Sequence, residues 1–371
     1  MVQGVLVIEE NAKSKLVGLL IVSGLLTLIG LIFIYSSSSV YALEQTGNSA
    51  YYLKKQLFSV FIGLVLFLIC ARIPLKKIQT YSPFLVLAAL GITLIGFIPR
   101  FSLKVHGSSR WLNIAGFSLQ PSELLIPCVL LFCAAFLANR TAQQSPIGWH
   151  SLRALLLLGL VFGVLLKQPD FGAAVTLFCS IAILLFVTDL GIKYILLLAL
   201  GALPFIAALV YAKAYRLQRI MIFLNPWADP RGKGFQIIQS LIAIGSGQMW
   251  GLGISASRQK FFYLPMHHTD FIFSIIAEET GFMGALGLII LFVLFCYFGI
   301  GIALRIKDAF GRLVTLGFVS LITVRAVINL MVSSGLLPTK GLGLPFISYG
   351  GSAIMCLFCM LGLIANIVKS E

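Results

Sequence analysis

Long apolar stretches recur along the whole chain and are broken at intervals by charged and turn-forming residues. Measured against the roughly 20 residues that cross a bilayer, the pattern predicts ten helical spans. They lie near 16-35, 57-73, 81-98, 122-138, 151-166, 171-188, 192-212, 274-303, 313-332 and 349-368. The expected fold is an all-α polytopic membrane protein of about ten transmembrane helices. It forms a single integral membrane domain, 1-371, with a large extracytoplasmic loop, 213-270, between helices seven and eight. The first run is too long for a signal-peptide core and lacks a small-residue cleavage pattern, so it is expected to remain as the first span.

An even number of spans puts both termini on one side. The short connections on that side carry Arg72, Lys76, Lys77, Arg140, Lys193, Arg305, Lys307 and Arg312, alongside Lys13 and Lys15. Such an excess of cations predicts a cytoplasmic face.

Composition reinforces the picture. The 371 residues are 59% hydrophobic and include 29 Phe, with a mean hydropathy of +1.03, which excludes a soluble domain of about half apolar residues. All seven cysteines lie inside apolar segments and read as small buried side chains, not as a disulfide framework. Cys356 and Cys359 form a CxxC within a span, without the further polar ligands that a zinc site wants. Neither a GxxxxGK[ST] loop nor a strand-bound GxGxxG is present, and no nucleic-acid partner is implied. A transferase built on this chain would draw its donor from the membrane, not from a soluble nucleotide sugar.

Charge then singles out the external segments. Lys and Arg total 27 against 12 Asp and Glu, and residues 213 to 269 carry seven of those cations against Asp229 alone. Such a surface attracts phosphate-bearing ligands or anionic membrane lipids. Arg216 and Arg219 are three apart on one helical face, a spacing that could grip a pyrophosphate. The glycines of AIGSGQMWGLG either let backbone approach a phosphate or let helices pack closely.

Polar residues also gather in shorter clusters. In KVHGSSRWLNIAGFSLQPSE, 104 to 123, Trp111, Ile114 and Phe117 recur every three residues and predict an interfacial amphipathic turn. Pro121 opens a helix with Glu123 in its first turn. In KQPDFG, Asp170 is placed to complement a helix N-terminus or to hold a neighbouring cation. Arg325 sits mid-span and must face a polar cavity or a partner. In FFYLPMHHTDFIFSIIAEETG, 261 to 281, Thr269 is expected to cap a helix whose first turn holds Asp270. Glu278 then lies roughly 12 Å further along, so the carboxylates do not form one site. His267 and His268 lack zinc-ligand spacing and are expected to tune or shield Asp270; no permanent metal is predicted. A loosely held divalent cation, magnesium or manganese, fits between Asp270 and a phosphate. Glu278 and Glu279 are expected to brace the bundle by pairing with a cation such as Arg325. An exposed carboxylate beside basic loops suits a general base.

These motifs resemble the SEDS family (shape, elongation, division and sporulation), polytopic peptidoglycan glycosyltransferases that include RodA and FtsW. The resemblance runs from about residue 16 to 368. It rests on GSSRWLNIAGFSLQPSE, KQPDFGAA, FLNPWADPRGKGFQIIQSLIAIGSG, YLPMHHTDFIFSIIAEETG and LLPTKGLGLPFISYGGSA. NPWADP and PTKGLGLPFISYGGS look closest to the FtsW, division-type branch.

The resemblance implies polymerisation of lipid II at the outer face of the bacterial cytoplasmic membrane, with undecaprenyl pyrophosphate as leaving group. The aspartate of the family's HTD motif falls on Asp270, the implied catalytic base. Arg110, Glu123, Arg216, Arg219, Lys340 and Ser348 fall at positions implied to bind substrate or order the loops. Asp170, His268, Glu278, Glu279 and Arg325 are implied to support or tune the site. A class B penicillin-binding protein transpeptidase is the implied partner, with other division or elongation proteins. A lipid II flippase and a non-enzymatic division scaffold are the alternatives. This chain departs from the family where Ile126 replaces a lysine three residues beyond Glu123, so Glu123 must pair elsewhere, with Arg110 or Arg325. It departs again at Gln248, where many members have glycine.

Overall fold

The computed structural model describes residues 2–98, 102–105, 108–114, 117–143, 149–188, 200, 221–232, 234–259, 269–339 and 341–371, and side chains within them except at 2–11, 102–110, 113–117 and 141–151. Ten α-helices are labelled in chain order. They are α1 (Val2–Thr46), α2 (Tyr51–Cys70), α3 (Leu75–Ile95), α4 (Pro121–Gln143), α5 (Trp149–Lys167), α6 (Phe171–Val187), α7 (Phe235–Ser246), α8 (Ile272–Ala303), α9 (Ala309–Ser333) and α10 (Gly351–Ser370). Nine coincide with predicted spans; the remaining span, 192-212, lies outside the described residues except at residue 200. Seven of the described helices are long and apolar enough to cross a bilayer.

Burial sorts the helices into centre and rim. Of the spanning stretches of α4 and α9, 83% and 78% lie inside the protein, against 17% for α2. Helix α9 packs on α4, α6, α7, α8 and α10. It therefore forms the axis of the bundle, and its polar side chains must find partners inside protein.

Two features differ from the prediction. The 102–119 segment is a three-stranded antiparallel sheet, β1 (Ser102–Val105), β2 (Ser108–Ile114) and β3 (Phe117–Leu119), not an amphipathic helical turn. Strand pairing places Trp111 opposite Leu103 and Ile114 opposite Phe117, so the three-residue spacing reflects a hairpin. Helix α7 is a short apolar helix within the 213–270 segment, below spanning length, and its buried Ile237, Ile238 and Ala243 face its neighbours.

Helix α8 is broken at Gly281, whose φ of 69° departs from helical geometry. The freed carbonyls of Glu278 and Glu279 accept from Leu252 N and Gly253 N at 3.0 Å each, and Phe282 N donates to Gln248 O at 2.7 Å. The 247–253 turn thus replaces the missing helical hydrogen bonds, which irregular backbone at this depth requires. Gly247 and Gly251 have no room for a side chain against the α8 backbone. Those two glycines serve close packing with α8; neither lies open to cradle a phosphate.

The centre of the 341–350 segment, residues 344–347, is buried between helices. Leu344, Phe346 and Ile347 are at most 2% exposed. A methyl group on Gly30 of α1 would lie 2.6 Å from Phe346 O, so α1 admits this loop only because position 30 is glycine. Phe346 itself adopts φ 66°, an outlier for a bulky residue.

Candidate active site

The polar groups converge at one end of the bundle, where the N-termini of α4, α6, α8 and α10 meet the C-terminal half of α9. Gln120 N donates to Ser352 Oγ at 3.2 Å, joining the start of α4 to α10. Gly350 N donates to Gln56 Oε1 at 3.2 Å, adding α2.

Asp270 is half-buried and stands one residue before Phe271, the N-cap of α8. It is therefore not in the first helical turn, and Thr269 is not the cap. The carbonyls of residues 269 and 270 are drawn aside instead. Ser348 Oγ donates to Thr269 O at 2.5 Å, and Asn329 Nδ2 donates to Asp270 O at 2.9 Å. Both donors are tied to the 341–350 segment: Leu344 N donates to Ser348 Oγ at 2.7 Å, and Asn329 Nδ2 also donates to Leu342 O at 2.6 Å. A side chain at Gly341 would approach Asp270 Oδ2 at 3.5 Å, so the loop passes directly beside the carboxylate.

One helical turn from Asn329, Arg325 Nη1 donates to Glu123 Oε2 at 2.5 Å. Of the two partners expected for Glu123, Arg325 makes this contact. Arg325 is 7% exposed, and its Nε and Nη2 are buried without a partner among the described residues. Asn329 Oδ1 and Ser333 Oγ share that condition. Spaced four apart, the three residues line one face of α9, and their unmet bonds call for water or a bound group.

Asp170 caps α6, accepting from Ala173 N at 3.2 Å. Its other oxygen accepts from Gln120 Nε2 at 3.2 Å and Ser122 Oγ at 3.0 Å. The KQPDFG and QPSE motifs are thus one hydrogen-bonded unit. Tyr349, T-stacked on Tyr52 at 5.1 Å, has its phenol pushed up to about 12 by burial and by the neighbouring Tyr52 and Tyr51, so it stays neutral at physiological pH.

Glu278 and Glu279 do not pair with Arg325. Each is 1% exposed and is satisfied by the 255–259 turn. Ser36 Oγ donates to both oxygens of Glu279, at 2.7 and 2.8 Å, and Ser255 N donates at 2.9 Å. Ser257 Oγ and Arg258 N donate to Glu278, the latter at 3.0 Å. Backbone N–H groups of the turn, with the hydroxyls of Ser36 and Ser257, hold these carboxylates beside the break at Gly281.

Arg216, Arg219, His268 and Lys340 lie outside the described residues, as does the side chain of Arg110 on β2. Asn329, Gln120 and Ser122 are connecting residues that sequence reasoning missed. The signal for Asn329 was available, as an amide four residues from a mid-span arginine.

Known proteins resemble this chain along most of its length. The family described as "Cell cycle protein" (FTSW_RODA_SPOVE) matches residues 17–371. The chain is 40% identical to the probable peptidoglycan glycosyltransferase FtsW of Trichlorobacter lovleyi, over 96% of this chain and 93% of that one. It is 36% identical to stage V sporulation protein E of Bacillus subtilis, over 95% and 96%. Among solved structures, a chain described under "Structural coordination of polymerization and crosslinking by a peptidoglycan synthase complex" superposes with a TM-score of 0.76 at 29% identity, covering 95% of this chain and 97% of that one. The rod shape determining protein RodA of Thermus thermophilus gives 0.70 at 25% identity, covering 95% and 96%. With its motifs, its bundle and its matched length in agreement, the chain belongs to the FtsW/RodA/SpoVE family of multi-pass membrane proteins, on the FtsW side.

Proposed function

We propose that this protein is a peptidoglycan glycosyltransferase that polymerises lipid II at the outer face of the cytoplasmic membrane, with both termini cytoplasmic and with septal wall synthesis as its role. The names of its relatives support the activity, and the family description "Cell cycle protein" supports the division role. The observation that carries the mechanism is the fixing of Asp270, by Asn329 and Ser348, beside Gly341 at the polar end of the bundle.

Asp270 takes the proton from the 4-hydroxyl of the acceptor sugar as that oxygen attacks the anomeric carbon of the donor. The bond from that carbon to the phosphate oxygen breaks, the configuration inverts, and undecaprenyl pyrophosphate leaves. Arg110, Arg216, Arg219 and Lys340 bind the phosphates and balance the charge that develops there. Ser348 acts by holding the Thr269 carbonyl in place. Among the described residues no group of three His, Cys, Asp or Glu could hold a metal. A magnesium or manganese ion held at Asp270 would take substrate phosphate oxygens among its ligands. A class B penicillin-binding protein transpeptidase is the proposed partner, supported by the solved relative whose description couples polymerization to crosslinking.

Purified protein given labelled lipid II is expected to yield a glycan ladder, and Asp270→Asn to reduce it by about 10²–10⁴-fold while abundance and melting are unchanged. A wild-type protein that makes no ladder but accelerates lipid II flipping in liposomes would instead be a translocase. Normal division by an Asp270→Asn strain would make it a scaffold.

A further inference from the structure

A groove of about 520 Å³ runs between α3 and α5. Leu94 and Phe97 form one wall and Leu160 the other, with Gly159 and Gly163 as its floor. A Cβ built on either glycine meets no atom within 4 Å, so among the described residues these glycines are not close helix contacts; they leave two notches about 6 Å apart. The groove is not slack packing. Gln168 Nε2 donates to Thr93 O at 3.0 Å and ties the end of α5 to α3 beside Leu94.

One end of the groove is charged. Lys167 is exposed, its Nζ lies 5.5 Å from the Phe97 ring centroid, and it has no ion-pair partner among the described residues. Three residues further on, Asp170 joins the start of α4 through Gln120 and Ser122, next to Glu123. An apolar trough about 12 Å long, from Gly159 to Lys167, therefore ends in a cation that adjoins the candidate active site.

We propose that this groove binds the polyprenyl chain of the lipid-linked substrate, with Lys167 facing its phosphate. The inference rests on the lipid substrate of the reading above. Continuity with the polar site favours a substrate tail over a bulk acyl chain, and the two notches suit a methyl-branched chain. The occupant is held by apolar contact along α5 and oriented by one charge at the head.

The test is native mass spectrometry of the full chain with undecaprenyl phosphate, undecaprenol or phosphatidylglycerol as probes. Gly163→Leu fills the floor at a position where an added Cβ meets no atom within 4 Å, and is expected to weaken undecaprenyl phosphate binding at least about tenfold, as losing one large buried aliphatic contact would. Gly159→Leu should do the same, with melting unchanged for both. Lys167→Gln should abolish the preference for undecaprenyl phosphate over undecaprenol. Undecaprenyl phosphate binding indifferent to both leucines overturns the proposal. So does displacement of phosphatidylglycerol alone, which would mark a bulk-lipid site. Because binding is read without turnover, a glycan ladder with groove-independent binding defeats this inference and spares the proposed activity; groove-dependent binding with no ladder does the reverse.

Discussion

Arg325 on α9 meets Glu123 on α4 across 202 residues of sequence, at 2.5 Å, and both are largely withdrawn from solvent. Ile126 is fully buried on the same helix as Glu123, one turn on. The counter-charge of this carboxylate thus comes from another helix.

Arg325→Gln strands Glu123 and should lower stability by about 3–5 kcal/mol, the effect of breaking a buried pair. Adding Ile126→Lys returns a cation at i+3 and should recover most of the melting temperature and the ladder yield. A double variant no better than the single one would show that Glu123 does not depend on the pair.

Asn329→Ala leaves the Asp270 and Leu342 carbonyls without their donor. Each orphaned carbonyl costs about 1–3 kcal/mol, so both stability and turnover should fall even though the carboxylate of Asp270 is untouched. Ladder formation and thermal unfolding of Asn329→Ala against wild type measure both. Wild-type turnover would release the Asp270 loop from this constraint.

Gly30→Ala should destabilise by about 1–3 kcal/mol, because the added methyl meets the backbone of Phe346 and Ile347. Gly24→Ala on the same helix meets nothing within 4 Å and should be neutral or stabilising. Equal melting of the two variants would remove the argument that α1 is shaped to admit the 341–350 loop.

Glu279→Ala removes the acceptor for Ser36 and Ser255 and should loosen the 255–259 turn. Trypsin cleavage at Arg258 should quicken several-fold in the variant, in line with a lost buried charge-assisted bond of about 1.5–3 kcal/mol. Unchanged cleavage would mean that Glu278 alone anchors the turn.

The membrane spans were legible because a bilayer imposes one length and one polarity, so α8, α9 and α10 fell where apolar runs placed them. Asp270 stood out as an acid at a span boundary. What could not be read was partnership. A mid-span arginine must be paired, but nothing local says whether with Glu278 or with Glu123, and the choice rests on how α4 and α9 pack. The β-sheet was hidden because Trp111, Ile114 and Phe117 mimic a helical repeat across a hairpin. The cap at Thr269 failed because Ser348 and Asn329, distant in sequence, draw the 269 and 270 carbonyls out of helical register.

Helix α9 has a mechanical property that follows from carrying Arg325 and Asn329 on one face. Any roll of its axis moves the counter-ion of Glu123 and the holder of the Asp270 carbonyl through the same angle. The helix acts as a camshaft with two lobes, so the charge balance of one motif and the seating of the other cannot be adjusted separately.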